Sequence, residues 1–301
     1  SMKDGKFQVV PWMKILIRDP YDPFTLFPKE RSGGINVIDL ANQHSCAFIQ
    51  TQDLGRIEAD GFYLEGRFDE ADVRKRARDY VAAFTVSDIE TSVHYAGKAF
   101  ITTKVAQWVN QEGLGIDVAS AGELEVALRA GINPTQIVMH GNNKSVKDLE
   151  RAVEVGVGRV VIDSLIEIER LNSVAAAAGI VQQVLLRLTV GVEAHTHEAI
   201  STAHEDQKFG LSTASGMAMA AVDNVLECDA LSLAGLHSHI GSQIFDATGF
   251  ELATHRVVDF AVQIKERHGI SVSELDVGGG MGIAYIEGDD PLDVTTMAKS
   301  I

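Results

Sequence analysis

Three short stretches of this sequence carry side chains that could do chemistry together. In "HYAGKAF", residues 94–100, Lys98 stands in a short apolar run, and a lysine is rarely buried without a partner because desolvating its ammonium is costly. The plain reading is a stem lying along the surface with its head in water. A lysine whose pKa is lowered by burial or by a neighbouring cation is instead a nucleophile that forms a Schiff base with an aldehyde. In "GLHSHIGSQIF", His237 and His239 alternate, so on a strand both point to one side, and Ser242 adds a hydroxyl just beyond. In "LDVGGGMGIAY", Gly278, Gly279 and Gly280 follow a strand-like run. Three glycines in a row imply positive φ or close backbone approach. Successive inward amides, with a helix start to follow, make a nest for an anion such as phosphate. A loose strand-to-helix turn is the plain alternative, and the spacing is not that of a G-x-G-x-x-G dinucleotide fingerprint.

Positioning these groups requires a scaffold, and the sequence predicts one from about Phe68 onward. Short β-branched runs occur at "SVHYAG", "GIDVAS", "QIVMHG", "RVVIDS", "QVLLRL", "LSLAGLHSHIG" and "SELDVGGG". Most are separated by Ala-, Leu- and Glu-rich stretches with apolar residues three and four apart, as in "AGELEVALRAG". Strand and helix alternating at this period give a parallel sheet with crossover helices. Ser120, Ser145 and Ser164 each precede an acidic residue (Glu123, Asp148, Glu167) at capping-box spacing, and Gly131, Gly156 and Gly179 follow the apolar faces as C-terminal caps do. An open doubly wound sheet and a (βα)8 barrel both fit this pattern. Polar residues at the strand ends, namely Lys98, Asp117, His140, Asp163, Arg187, His239 and Asp276, favour the α/β (βα)8-type barrel, whose C-terminal mouth gathers side chains from every strand into one site. About seven βα units are recognisable. Residues 1–67 read as a separate β-rich or irregular segment, and 68–301 as the barrel.

The 301 residues are 46% hydrophobic and 23% charged, enough apolar material for a large core. A net charge of -16 argues against nucleic acid or a charged membrane surface as partner, while leaving small anions open. Two cysteines, Cys46 and Cys228, make neither a disulfide framework nor a cysteine zinc site, which suits a reducing cytoplasm. No apolar run is long enough to span a bilayer, and "SMKDGKFQVV" lacks a signal-peptide profile. The histidines of "EAHTHEAISTAHED" (His195, His197, His204) and the pair 237/239 have no accepted zinc spacing, so no metal is expected. A lysine, a histidine with a serine, and a glycine nest at the ends of barrel strands would together serve an aldehyde cofactor that carries a phosphate. Pyridoxal 5'-phosphate is the candidate.

The motifs "HYAGKAF", "GIDVASAGEL", "HGNNKS", "RLTVGVEAHTHEAISTAHEDQKFG", "GLHSHIGSQIFD" and "LDVGGGMGIAY" resemble, in order over most of 69–290, the alanine-racemase-like barrel family of pyridoxal-phosphate decarboxylases. The resemblance is greatest to the diaminopimelate decarboxylases of actinobacterial type. It implies decarboxylation of meso-2,6-diaminopimelate to L-lysine and carbon dioxide, by a cytoplasmic homodimer acting on a small amino-acid substrate. Lys98 resembles the family's Schiff-base lysine and His239 the histidine stacked on the cofactor ring. Ser242 and Gly278–Gly280 match its phosphate cradle, and Asp117 and Arg187 match positions near the lysine and ring. Glu123 also matches, and its capping position accounts for it equally well. The family further carries an eighth barrel strand with a Glu-Pro-Gly-Arg motif and a β domain, which would lie beyond Ile301. Two readings follow: a decarboxylase, incomplete only as a fragment or an altered form, and as the alternative a cofactor-binding remnant or partner-binding homologue. An amino-acid racemase on the same fold is a third reading, opposed by "EAHTHE" and "HGNNKS".

Overall fold

The structure is a computed structural model that describes residues 2–3, 6–19, 25–40, 48–58, 61–85, 89–192, 209–242, 244–282 and 292–301. The chain divides into two units, Ser1–Arg78 and Asp79–Ile301. In the first, β1 (Met2–Lys3), β2 (Lys6–Phe7), β3 (Met13–Arg18), β4 (Gly33–Asp39), β5 (Phe48–Glu58) and β6 (Gly61–Arg67) form an antiparallel sheet in the order β1-β2-β6-β5-β4-β3. Alternation in "MKILIR" sends Ile15 and Ile17 to one face, where they pack with Ile35, Val37, Ile57 and Phe62 as period two requires. The helix α1 (Phe68–Phe84) follows, and the division falls inside it.

In the second unit all seven predicted strands form. They are β7 (His94–Ala96), β8 (Gly115–Val118), β9 (Ile137–Met139), β10 (Arg159–Ile162), β11 (Gln182–Thr189), β13 (Leu231–Ser238) and β14 (Glu274–Asp276); a short β12 (Leu211–Ser212) adds to β11. They are parallel, in the order β14-β13-β11-β10-β9-β8-β7. Between them lie α2 (Thr103–Gln111), α3 (Ala121–Arg129), α4 (Val146–Val155), α5 (Leu165–Ala178), α6 (Met217–Leu226) and α7 (Thr248–His268), with α8 (Val294–Ser300) last.

Two of the three expected serine caps form. Ser145 and Asp148 make a full capping box. Ser120 accepts from the Glu123 amide, but the Glu123 carboxylate reaches the Ala119 amide, not that of Ser120. Ser164 makes no side-chain cap, and the Glu167 carboxylate is turned to Lys144 and the Asp163 amide. Gly131, Gly156 and Gly179 close their helices at positive φ.

Strand parity sets the site. Ile137, Met139, Val160, Ile162, Val184, Leu186 and Leu188 face the helices and join the main core with Leu124, Leu149, Leu171, Val222 and Phe260. Their neighbours Val138, Val161 and Leu185, with Ala234, form a small apolar cluster on the other face. Two residues further along the same face come His140, Asp163 and Arg187, so period two carries that face from an apolar floor to charged groups at the strand ends. A register shift between Val184 and Leu185 of β11 against Leu233 and Gly235 of β13 brings His237 into the same set.

Candidate active site

Lys98 sits on a 3-10 turn, Gly97–Ala99, directly after β7. Gly97 is buried, and a Cβ there would stand 2.8 Å from the Asp117 carbonyl, so only glycine lets the turn lie on β8. Lys98 itself is exposed, so burial is not what activates it in this structure. Asp117 Oδ1 lies 3.5 Å from His94 Nδ1 and 3.6 Å from His140 Nε2, ion-pair distances longer than good hydrogen bonds. Burial alone would raise the Asp117 pKa, but the two imidazoles outweigh it and hold the carboxyl below the usual range. Burial works against charge on His94, yet Asp117, with Asp276 and Glu274 behind it, leaves its pKa raised. A Cβ on Gly115 would overlap the His94 ring, so the missing side chain on β8 is what admits this histidine.

The other wall comes from the segments after β13 and β14. Ile244 and Met281 form a parallel bridge, with Ile244 N–H donating to Gly280 O at 2.9 Å and Gly282 N–H to Ile244 O at 2.7 Å. Gly278 (φ 72°) and Gly280 (φ 106°) are left-handed, and a Cβ on either would run into the Ser238 or Gly241 carbonyl. Two of the three glycines thus show both features the sequence implies, positive φ and close backbone approach, and what approaches them is the neighbouring loop. Gly279 alone faces open space. The Gly278 amide is already committed, donating to Asp276 Oδ1 at 2.8 Å. Ser242 is exposed, its Cα beside Gly280. His239 bonds to the Gly279 backbone; burial, then the charges of Lys98, Arg187 and His140, push its pKa down to about 4. A Cβ on Gly278 would lie 3.1 Å from His239 Nδ1, so the histidine stands beside the glycines, and the Lys98 charge is among those that act on it. Burial and the nearby Asp117 charge raise the Asp276 pKa.

Arg187 completes the mouth. Its guanidinium stands 3.4 Å from Asp163 Oδ2 and lies over the Phe209 ring at 4.6 Å, while Asp163 Oδ1 accepts from the Gly210 amide at 2.7 Å. Burial lowers its pKa, and Asp163 opposes the shift. His237 is buried with its ring edge-on to His140, centroids 5.0 Å apart. Burial, with His140 and Arg187 adding to it, pushes its pKa well below the ordinary value. His237 Nδ1 and Ser238 Oγ are buried without a hydrogen-bond partner among the described residues, and such groups call for a bound molecule or water.

The structure therefore gathers Lys98, Asp117, Arg187, His239, Ser242 and Gly278–Gly280 at one end of the parallel sheet. His195, His197, His204 and Lys208 lie outside the described residues, as does the helix start expected after the glycines. Among the described residues no group of three or more His, Cys, Asp or Glu could hold a metal, and no helix is long and apolar enough to cross a membrane. His94 was missed by the sequence reading, although it opens the very motif that holds Lys98; the signal was the glycine two residues before Asp117. Lys144 and Glu167 were also missed, one because its motif suggested no role and the other because it looked like a cap.

The arrangement fits a phosphate-bearing aldehyde: an amine on one side, crowded glycines with one open position on the other, and orphaned polar atoms beneath. Residues 70–301 match the family described as pyridoxal-dependent decarboxylase, pyridoxal binding domain. The chain belongs to this family. Over 237 residues it is 55% identical to diaminopimelate decarboxylase of Mycobacterium tuberculosis, a match covering 77% of this chain and 52% of that one. It is 40% identical over 269 residues to diaminopimelate decarboxylase of Halalkalibacterium halodurans, covering 89% and 57%. Among solved structures, diaminopimelate decarboxylase from M. jannaschii in co-complex with L-lysine matches with a TM-score of 0.73 at 29% identity, covering 82% of this chain and 61% of that chain. The chain spans about half the length of the relatives it matches.

Proposed function

We propose that the mouth holds pyridoxal 5'-phosphate and that the chain takes part in the decarboxylation of meso-2,6-diaminopimelate to L-lysine and carbon dioxide, with residues 68–301 as its cofactor-binding part. The observation that carries this reading is His239 set against the glycine run at the end of the sheet where Lys98 follows β7, with the Lys98 charge acting on the histidine. The names of the relatives support a decarboxylase over a cofactor-binding remnant or partner-binding homologue, for which no separate observation speaks.

In this reading Lys98 supplies the amine that joins the aldehyde. His239, held by the Gly279 backbone and kept neutral near pH 7 by its low pKa, offers a flat uncharged ring for the cofactor to lie on. The amides of Gly279 and Gly280, with the Ser242 hydroxyl, take the phosphate, since the Gly278 amide is spent on Asp276. Asp117 keeps its charge between His94 and His140 and balances the cations of the mouth. Arg187, clamped by Asp163, presents a fixed cation to the acidic groups of cofactor or substrate. When bound, the cofactor supplies the electron sink for loss of the carboxylate. A cytoplasmic homodimer belongs to the same proposal, with light scattering as the check on its mass.

The test is to add pyridoxal 5'-phosphate, record the absorbance, and assay L-lysine and carbon dioxide from meso-diaminopimelate. A new visible band, absent in Lys98→Ala, with product formation supports the proposal. No band removes the cofactor, and a band without product favours the remnant.

A further inference from the structure

Lys144 and Glu167 take no direct part in the site, yet they are the most deeply buried ion pair among the described residues. Lys144 Nζ is 2.5 Å from Glu167 Oε1, and the two side chains are 0% and 5% exposed. All three donors of the ammonium are spent, on Gly141 O at 2.7 Å, Val161 O at 2.6 Å and Glu167. These acceptors belong to three separate segments: the loop after β9, the end of β10 and the first turn of α5. The second Glu167 oxygen accepts from the Asp163 amide at 3.3 Å. Burial pulls the Lys144 pKa down and the Glu167 pKa up, and each partner's charge opposes the shift on the other.

Stability is a poor reason for this arrangement. A buried pair of this kind is often matched or bettered by apolar side chains of similar volume. What it secures is the position of Asp163, the residue between Val161 and the helix start. The Asp163 carboxylate divides between the Gly210 amide and Arg187. Through Arg187 it faces His237, His239 and Asp276.

We propose that Lys144 and Glu167 are positioning residues: the buried pair fixes the Asp163 main chain, and Asp163 in turn holds the Arg187 guanidinium and the Gly210 amide in place at the mouth. The inference deepens the reading of the mouth as a pyridoxal-phosphate site, and rests on that reading for its consequence on binding. The geometric part stands without the cofactor.

Two variants test it. Glu167→Gln keeps the volume but has one acceptor oxygen where the carboxylate has two, so either Lys144 or the Asp163 amide loses its partner. Lys144→Met with Glu167→Met removes both charges and should restore the melting temperature lost in Glu167→Gln, while leaving Asp163 untied. The readouts are hydrogen exchange of the Gly210 amide in the cofactor-free chain and the dissociation constant of pyridoxal 5'-phosphate by absorbance. Positioning predicts faster Gly210 exchange in both variants and affinity lower by about tenfold, the scale of one charge-assisted hydrogen bond, even where melting has recovered. Gly210 exchange and affinity that recover together with melting would overturn the inference. Should the double variant fail to fold, unchanged Gly210 exchange in Glu167→Gln would overturn it by itself. If the unaltered chain takes up no pyridoxal phosphate, the cofactor reading falls, and the Gly210 exchange alone decides the positioning role.

Discussion

The two ends of the parallel sheet handle charge in opposite ways. At the N-terminal end Arg159, the first residue of β10, meets Glu274, the first residue of β14, in a two-pronged ion pair. Both prongs of the guanidinium are answered, and the pair joins strands that are not neighbours in the sheet. At the C-terminal end Asp117 is shared at long range by two imidazoles, Asp276 is held close to another carboxylate, and His237 Nδ1 and Ser238 Oγ have no partner among the described residues. Unpaired buried polar groups cost stability. Arg159 and Glu274 thus answer each other's charge at one end, while at the other end the titratable groups shift one another's pKa values.

The largest expected effect separates glycines that look alike in sequence. Gly280→Ala puts a Cβ into the Gly241 carbonyl at φ 106°, and should destabilise by about 3 kcal/mol or more. Gly279→Ala meets nothing, so it should change stability by less than about 0.5 kcal/mol and yet weaken pyridoxal-phosphate binding. Denaturant unfolding and absorbance titration of both variants check this, and equal stability losses would erase the distinction.

A matched pair of substitutions compares the two ends directly. His237→Leu removes an orphaned buried nitrogen and should raise stability by about 1 kcal/mol while lowering cofactor affinity. Arg159→Met removes a two-pronged but partly exposed pair and should lower stability by about 1 kcal/mol with affinity unchanged. Thermal melts with and without pyridoxal phosphate give both numbers. The same sign of stability change in both would mean that the ends do not differ.

The smallest effect concerns pH. His237 and His239 have folded-state pKa values below the unfolded value of about 6.5, so the stability linked to them is lost as pH falls below that value, for His239 down to about 4. His94 has a raised pKa, so its contribution is fully present at low pH and is lost as pH rises through its folded value. Imidazole NMR should show His239 titrating near pH 4, and Lys98→Met should move that midpoint upward, because the ammonium is one of the causes. A midpoint indifferent to Lys98 would separate the amine from the histidine.

Much of this was legible in the sequence because period two and period 3.6 are local. The seven strands, the glycine helix stops and the strand-end residues Asp117, His140, Asp163, Arg187 and Asp276 follow from spacing alone. What was not legible depends on neighbours in space. Only the fold reveals that Gly278 and Gly280 admit the 238–242 loop, that Gly115 admits His94, or that Glu167 abandons its serine for a lysine on another element. The sequence left two readings for Lys98, a stem with its head in water or a buried nucleophile, and only the fold shows it exposed, since an apolar run does not say which side chains face the mouth.

The most direct measurement is to load the chain with pyridoxal 5'-phosphate, reduce it with borohydride and locate the modified peptide by mass spectrometry. The account expects the pyridoxyl group on Lys98. Label on Lys104 or another surface lysine with Lys98 untouched, or no label at all, would contradict it.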